Sequence, residues 1–198
     1  MAEKKRSILT SATLIAAVML LSKLLGFARQ VVIASAFGSG GETDLYFVSS
    51  DFMISLSGAL LSALSTALIA RYIEIAVKDS RRAANAVASQ MLSLFLLIGA
   101  VCILLIAVFA PQIGRALAPA VSGENAARLV RYLRFFSITF IFTAFQSIYA
   151  SVLNANDRFV PGKLYGIVYN PIAIGCVLFL SGHYGIRVLL WAYLAGNI

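Results

Sequence analysis

The stretch "SKLLGFARQVVIASAFGSGGETDLYFV", residues 22–48, joins two long apolar runs through a glycine-rich turn. It places Lys23 and Arg29 inside the first run, and Asp51 follows within the second. A charge at the centre of a bilayer costs about 2.5–3.5 kcal/mol on insertion scales, and such residues usually face a bundle interior or an aqueous cavity. We therefore expect these three charges to line a pathway for a substrate or an ion.

The composition indicates a membrane protein. The chain is 61% hydrophobic and 12% charged, whereas a soluble domain is about 45–50% apolar and about 25% charged. A transmembrane helix needs roughly 17–25 residues, and five runs approach or exceed this length: 8–37, 45–70, 83–110, 135–153 and 164–180. A shorter sixth run covers 188–198. The sequence predicts an all-α polytopic bundle over 1–198, with five complete transmembrane helices and the start of a sixth, as part of a longer protein.

The basic residues flank the apolar runs, which argues against a nucleic-acid partner. Nine lie at the helix ends on the side of the N-terminus: Lys4, Lys5, Arg6, Arg71, Lys78, Arg81, Arg82, Arg158 and Lys163. Five lie at the opposite ends: Arg115, Arg128, Arg131, Arg134 and Arg187. The positive-inside rule then predicts a cytoplasmic N-terminus.

Local signals predict where helices begin and end. Thr43 or Asp44 is expected to cap the second helix, and Pro111 and Pro119 are expected to break helices. The pair Asn170-Pro171 predicts a kink with a freed carbonyl in the fifth helix. Separately, Arg128, Arg131 and Arg134 share one helix face, which fits either contact with lipid headgroups or steering of a substrate toward the outer mouth.

The charges within the membrane suggest an anion site. Asp44 and Asp51 are seven residues apart and share a helix face, which an antiparallel neighbour could set against Lys23 and Arg29. That arrangement is either an ion-pair lock or a site in which carboxylates hold the cations for a ligand. Arginine binds phosphate in a bidentate manner and lysine acts as a point charge, so a lipid-linked pyrophosphate is a suitable ligand.

The residues for other chemistry are sparse. Cys102 and Cys176 lie mid-span and are expected to pack as small hydrophobes, and the single histidine, His183, has no partner at ligand spacing. We predict no metal site and no cofactor, apart from a possible coupling cation of unknown identity. A membrane phosphotransferase would need clustered carboxylates for Mg²⁺, so we do not expect an enzyme.

The opening stretch resembles the N-terminal signature of the MurJ/MviN lipid II flippases. In that family a Ser-Arg-x-Leu-Gly-Phe-x-Arg-Asp run leads through a Phe-Gly-x-Gly turn to Thr-Asp and an aromatic pair. The matching residues here are Ser22, Leu25, Gly26, Phe27, Arg29, Phe37, Gly38, Gly40, Thr43, Asp44 and Phe47. A second resemblance is "LNANDRF", residues 153–159, followed by Asn170.

The resemblance implies the N-terminal lobe of a transporter of the multidrug/oligosaccharidyl-lipid/polysaccharide (MOP) exporter superfamily in the bacterial cytoplasmic membrane. Such proteins flip undecaprenyl-pyrophosphate-linked saccharides, such as the peptidoglycan precursor lipid II, to the outer leaflet by alternating access between two lobes. The implied partners are a lipid-linked oligosaccharide, membrane lipids and a C-terminal lobe. Lys23 and Arg29 would hold the pyrophosphate, and Asp44 would orient Arg29 or sense the outer gate.

The chain also departs from the family pattern. Lys23 replaces an arginine, Gln30 replaces an acidic residue, and the second helix lacks the family's cations while Asp51 reverses their sign. These departures keep open a related exporter of another polysaccharide lipid, or a cation-coupled small-molecule antiporter that uses Asp51. A non-transporting helical scaffold, indifferent to Lys23 and Arg29, is the remaining alternative.

Overall fold

The structure is a computed structural model that describes residues 2–38, 40–161, 164–185 and 187–197. Two residues used in the sequence predictions, Lys163 and Ile198, lie outside these ranges. The described residues form six helices and no strand, which confirms the all-α class. The helices are α1 (Ala2–Phe37), α2 (Glu42–Lys78), α3 (Arg81–Leu117), α4 (Gly123–Ala155), α5 (Tyr165–Tyr184) and α6 (Arg187–Asn197).

Five of the described helices are long and apolar enough to cross a membrane, as the sequence predicts. The candidate spans are Thr13–Phe37, Glu42–Lys78, Arg81–Leu117, Gly123–Ala155 and Tyr165–Tyr184. At 1.5 Å per residue, helices the length of α2 and α3 reach about 55 Å, and the hydrocarbon core of a bilayer is only about 30 Å thick. Their polar ends therefore extend beyond the membrane.

The turn between α2 and α3 consists of Asp79 and Ser80. Helix α2 ends at Lys78, and Ser80 is the N-cap of α3, where its hydroxyl accepts a hydrogen bond from the Ala83 N–H at 3.2 Å. Helix α4 begins at Gly123, after its N-cap Ser122. The predicted cap of α2 is wrong, because its N-cap is Gly41, without a side-chain bond. The Thr43 hydroxyl is instead buried and lacks a partner in the described part of the chain.

The packing order differs from the order along the chain. Helices α2, α3 and α4 pack against one another. Helix α1 packs against α5. Helix α6 packs against α5 and also contacts α4. Consecutive helices α1 and α2 hardly touch. The turn between them permits this divergence, because Gly38, Gly40 and Gly41 all have positive φ angles, which glycine adopts readily. From this weak contact we infer a cleft between α1 and α2.

Pro111 does not end a helix, contrary to the sequence prediction. Helix α3 continues through it to Leu117, and only Pro119 lies beyond the helix end. Proline has no N–H, so the carbonyl four residues earlier, that of Ala107, loses its usual donor. The Nε of Arg134 on α4 donates to this carbonyl at 3.1 Å. A side chain from the neighbouring helix thus replaces the missing backbone bond.

Candidate functional site

One stripe of α1 is fitted to α5. Its members Ser22, Gly26, Arg29 and Ile33 recur at helical spacing, and Ile33 is fully buried. A side chain at Gly26 would meet the amide of Asn170, which lies one helical turn beyond Gly166. The Nδ2 of Asn170 donates to the Gly166 carbonyl at 2.6 Å and to the Ser22 carbonyl at 3.3 Å. Close contact along this stripe fixes the position of Arg29.

Arg29 lies against an aromatic surface. Its guanidinium carbon is 4.9 Å from the centre of the Tyr169 ring, a distance typical of a cation–π interaction. The side chain is half-buried, and its Nε is fully buried without a hydrogen-bond partner in the described residues. The guanidinium is therefore held against Tyr169 with one buried donor left unsatisfied.

Three further tyrosines surround Tyr169 and complete a tyrosine cluster (Tyr46, Tyr165, Tyr169 and Tyr193). Tyr165 stacks on Tyr169 with ring centres 5.6 Å apart, and Tyr193 meets it edge-on at 5.7 Å. Tyr46 forms a side-chain hydrogen bond with Tyr169. The cluster draws on α2, α5 and α6, so it joins the two groups of helices behind Arg29.

Of the two predicted carboxylates, Asp51 is the one whose charge interacts with that of Arg29. Arg29 is eight residues before the end of α1, and Asp51 is nine residues after the start of α2. Both therefore lie about 12–14 Å from the turn at 1.5 Å per residue. Their charges interact electrostatically, but no ion pair joins them in the described part of the chain. Asp51 is exposed on α2.

The other two predicted site residues lie apart from this centre. Asp44 is exposed in the first turn of α2, beside Gly40, and Lys23 is exposed on α1. Among the described residues neither forms an ion pair with the other predicted site residues. The ion-pair lock between the first two helices is therefore absent from the described structure, because α1 packs on α5 instead of α2.

The exposed face of α2 carries a stripe of small or polar residues, with Ile54 exposed beside it. Asp51, Ser55, Gly58 and Ser62 follow one another at helical spacing, and all four are exposed. The buried face of α2 packs on α4, and at the edge of this contact the Ser65 and Ser147 hydroxyls are 2.6 Å apart. An exposed stripe of small polar residues suits a water-filled cleft better than lipid.

Helix α3 provides the contrast. Its exposed face carries large apolar side chains, with Leu97 62%, Leu104 65% and Val108 58% exposed. Such a face is the expected surface toward acyl chains. The difference between α2 and α3 therefore distinguishes the cleft side of the bundle from its lipid side.

The predicted basic face of α4 divides into three environments. Arg128 pairs with Glu42 of α2 and with Glu124 of its own helix, both at 2.7 Å. Arg134 donates to the Ala107 carbonyl of α3, and Arg131 is exposed beside two grooves. Carboxylates thus neutralise Arg128, and Arg134 links α4 to α3 through a hydrogen bond.

The tyrosine cluster is the part of the site that sequence reasoning missed. Tyr165 and Tyr169 are one helical turn apart beside Asn170, and this spacing is the only local signal. Tyr46 and Tyr193 come from distant parts of the chain, and only packing brings them to Arg29. The described residues contain no group of three or more histidine, cysteine or carboxylate side chains that could hold a metal ion.

Comparisons with known proteins agree with this architecture. Residues 33–198 match the family model described as lipid II flippase MurJ. A lipid II flippase MurJ from Thermosipho africanus (strain TCF52B) is 30% identical over 197 residues, covering 97% of this chain and 40% of that protein. The solved structure "Lipid II flippase MurJ, inward closed conformation" superimposes with a TM-score of 0.74 at 24% identity.

That superposition covers 94% of this chain and 40% of the solved chain. The chain therefore spans about two fifths of the length of the relatives that it matches. At this level of identity the structural match establishes the fold, while the family model extends over most of the sequence. The chain is thus a multi-pass protein of the bacterial inner membrane, and it belongs to the lipid II flippase MurJ family.

Proposed function

We propose that this chain is the N-terminal lobe of a transporter that flips an undecaprenyl-pyrophosphate-linked saccharide, lipid II, across the cytoplasmic membrane by alternating access. The observation that carries the proposal is Arg29, half-buried on Tyr169 in a cleft lined by small polar residues. The names of the relatives supply the substrate class. We infer transport rather than catalysis, with a C-terminal lobe closing the other side of the cavity.

Within this lobe each site residue has a distinct role. Arg29 binds the pyrophosphate, because its fork-shaped guanidinium can donate to two phosphate oxygens. Asp51 lies within electrostatic range of Arg29 and limits how tightly the anion is held, which helps release. Lys23, exposed further along α1, adds a point charge at the approach to the cleft, and Asp44 acts at the turn.

We assign the N-terminus to the cytoplasm. Glu42 and Arg128 form an ion pair at one end of the bundle. At the other end, the Tyr72 hydroxyl donates to Asn85 Oδ1 at 2.7 Å and accepts from Asn156 Nδ2 at 3.5 Å. The second end also carries Arg71, Lys78, Arg81 and Arg82. Its excess of basic residues supports the cytoplasmic assignment.

The first experiment measures lipid II flipping by the complete transporter in proteoliposomes. Arg29→Ala should abolish flipping, and Arg29→Lys should reduce it strongly because the charge remains but the fork is lost. Arg82→Gln removes a cation at the far end of α3 and serves as the matched control. Normal flipping by a well-expressed Arg29→Ala transporter contradicts the proposal.

Asp51 distinguishes the proposal from its main alternative. Asp51→Asn should alter the rate of flipping without making Arg29 dispensable. A cation-coupled antiporter predicts the reverse, namely that Asp51→Asn abolishes the response to a proton or sodium gradient while Arg29→Ala is tolerated. The two results cannot be confused.

A second experiment tests the cleft itself. In a background without Cys102 and Cys176, Ser62→Cys should react with a membrane-impermeant thiol reagent. Leu104→Cys, in the middle of the apolar face of α3, should not react. Equal labelling of both positions would show that the small polar stripe of α2 does not line an aqueous cleft.

A further inference from the structure

A separate groove lies between the end of α3 and the start of α4, with a volume of about 590 Å³. Among the described residues, its lining includes Arg115, Arg131 and Arg134 and no carboxylate. The remaining walls are largely apolar, with Val121, Leu129 and Val130 among them. No described lining residue belongs to α1, α2, α5 or α6, so the groove is distinct from the proposed transport cleft.

The three arginines are available to an anion. Arg115 and Arg131 are exposed and form no ion pair within the part of the chain that the structure describes. Arg134 uses its Nε for the Ala107 carbonyl, which positions the side chain and leaves its terminal nitrogens outside that bond. Arg128 differs, because Glu42 and Glu124 both pair with it. The groove therefore gathers three positive charges with no carboxylate in its described lining. Glu124, whose charge interacts with that of Arg131, is paired with Arg128.

The groove borders a lipid-facing surface. Toward the membrane interior, α3 exposes Leu105 and Val108, of which 50% and 58% are accessible. A ligand here meets guanidinium groups at the helix ends and apolar side chains along the helix. Free phosphate satisfies only the first of these surfaces, whereas a phospholipid satisfies both.

We propose that this groove binds the headgroup phosphate of an anionic phospholipid, whose acyl chains lie along the apolar face of α3. Guanidinium groups suit phosphate oxygens because they donate two parallel hydrogen bonds. The proposal does not depend on the proposed transport function, since it concerns other helices and another ligand.

The test is native mass spectrometry of the complete transporter in neutral detergent, with phosphatidylglycerol or phosphatidylcholine of identical chains. The wild-type protein should retain one phosphatidylglycerol in preference to phosphatidylcholine. The double variant Arg115→Gln/Arg131→Gln should bind this lipid roughly thirtyfold more weakly, since each basic residue near an anionic surface contributes about fivefold. If the double variant misfolds, each single variant should show about fivefold.

Arg81→Gln/Arg82→Gln is the matched control, because it removes two exposed arginines at the other end of α3. It should leave the affinity for the first phosphatidylglycerol unchanged. Equal losses in both double variants, or equal retention of the two lipids, would overturn the proposal in favour of nonspecific attraction. Release of the lipid by a tenfold excess of inorganic phosphate would show that the groove recognises phosphate alone, and would overturn the assignment to a lipid.

Discussion

Replacing Arg134 by methionine should destabilise the packing of α3 against α4. The change removes the Nε that donates to the Ala107 carbonyl at 3.1 Å, while the length of the side chain is largely kept. Pro111 cannot replace this donor, because it has no N–H. Arg134→Met therefore leaves a helix carbonyl without a hydrogen bond inside a membrane protein.

The size of the effect follows from the chemistry of that carbonyl. An unsatisfied buried acceptor costs about 1–3 kcal/mol. Arg134 is exposed, so water or headgroups can reach part of this site, and we expect about 1–2 kcal/mol. In a Pro111→Ala background the new alanine supplies its own N–H to Ala107. There Arg134→Met should cost less than about 0.5 kcal/mol, because the backbone bond is restored.

The assay is a double-mutant cycle on the complete protein, with the free energy of unfolding measured by titration with a denaturing detergent. The expected coupling between positions 111 and 134 is about 1 kcal/mol. Arg131→Met removes an arginine one turn earlier and controls for the loss of charge. An equal cost of Arg134→Met in both backgrounds would refute the reasoning, because the orphaned carbonyl would then be irrelevant.

Two further predictions concern the contact between α1 and α5. Gly166→Ala should destabilise this contact by about 1–3 kcal/mol, as overpacking does, because the added Cβ would overlap the Ser22 hydroxyl. Ser22→Gly should restore stability in the same unfolding assay. Failure of this rescue would contradict the close contact. Tyr169→Leu should slow lipid II flipping about 2- to 30-fold, since a cation–π contact contributes about 0.5–2 kcal/mol. Tyr169→Phe keeps the ring beside Arg29 and should retain most of the rate. An equal loss of rate in both variants would point to the hydroxyl instead.

The predicted spans agree with the structure because their signal is additive along the chain. Each apolar run is long enough to span a membrane without reference to any other run. The turn at Asp79 and Ser80 is similarly local, since a short polar side chain caps the helix that it precedes. Errors arose at Thr43 and Asp44, because the N-cap is Gly41, and at Pro111, where Arg134 of the neighbouring helix satisfies the freed Ala107 carbonyl.

The candidate site was predictable only in part. Lys23, Arg29 and Asp51 stand out because a charge in an apolar run is costly, and this cost is visible in the sequence. The partners of Arg29 are not visible there. Sequence adjacency suggested that α1 faces α2, but α1 packs on α5, which brings Tyr169 to Arg29 and leaves Lys23 and Asp44 apart from it.

The sequence by itself determined the membrane-spanning class, the approximate helix boundaries and the unusual charges, because burial in a bilayer constrains each segment independently. Only the tertiary structure decided which helices meet, that a cleft separates α1 from α2, and that Arg134 supplies the bond that Pro111 removes. Lipid is as apolar as the helix faces, so hydrophobicity does not choose between neighbours in a membrane. Close contact at residues such as Gly26 and Gly166, and the hydrogen bonds of side chains such as Asn170, make that choice.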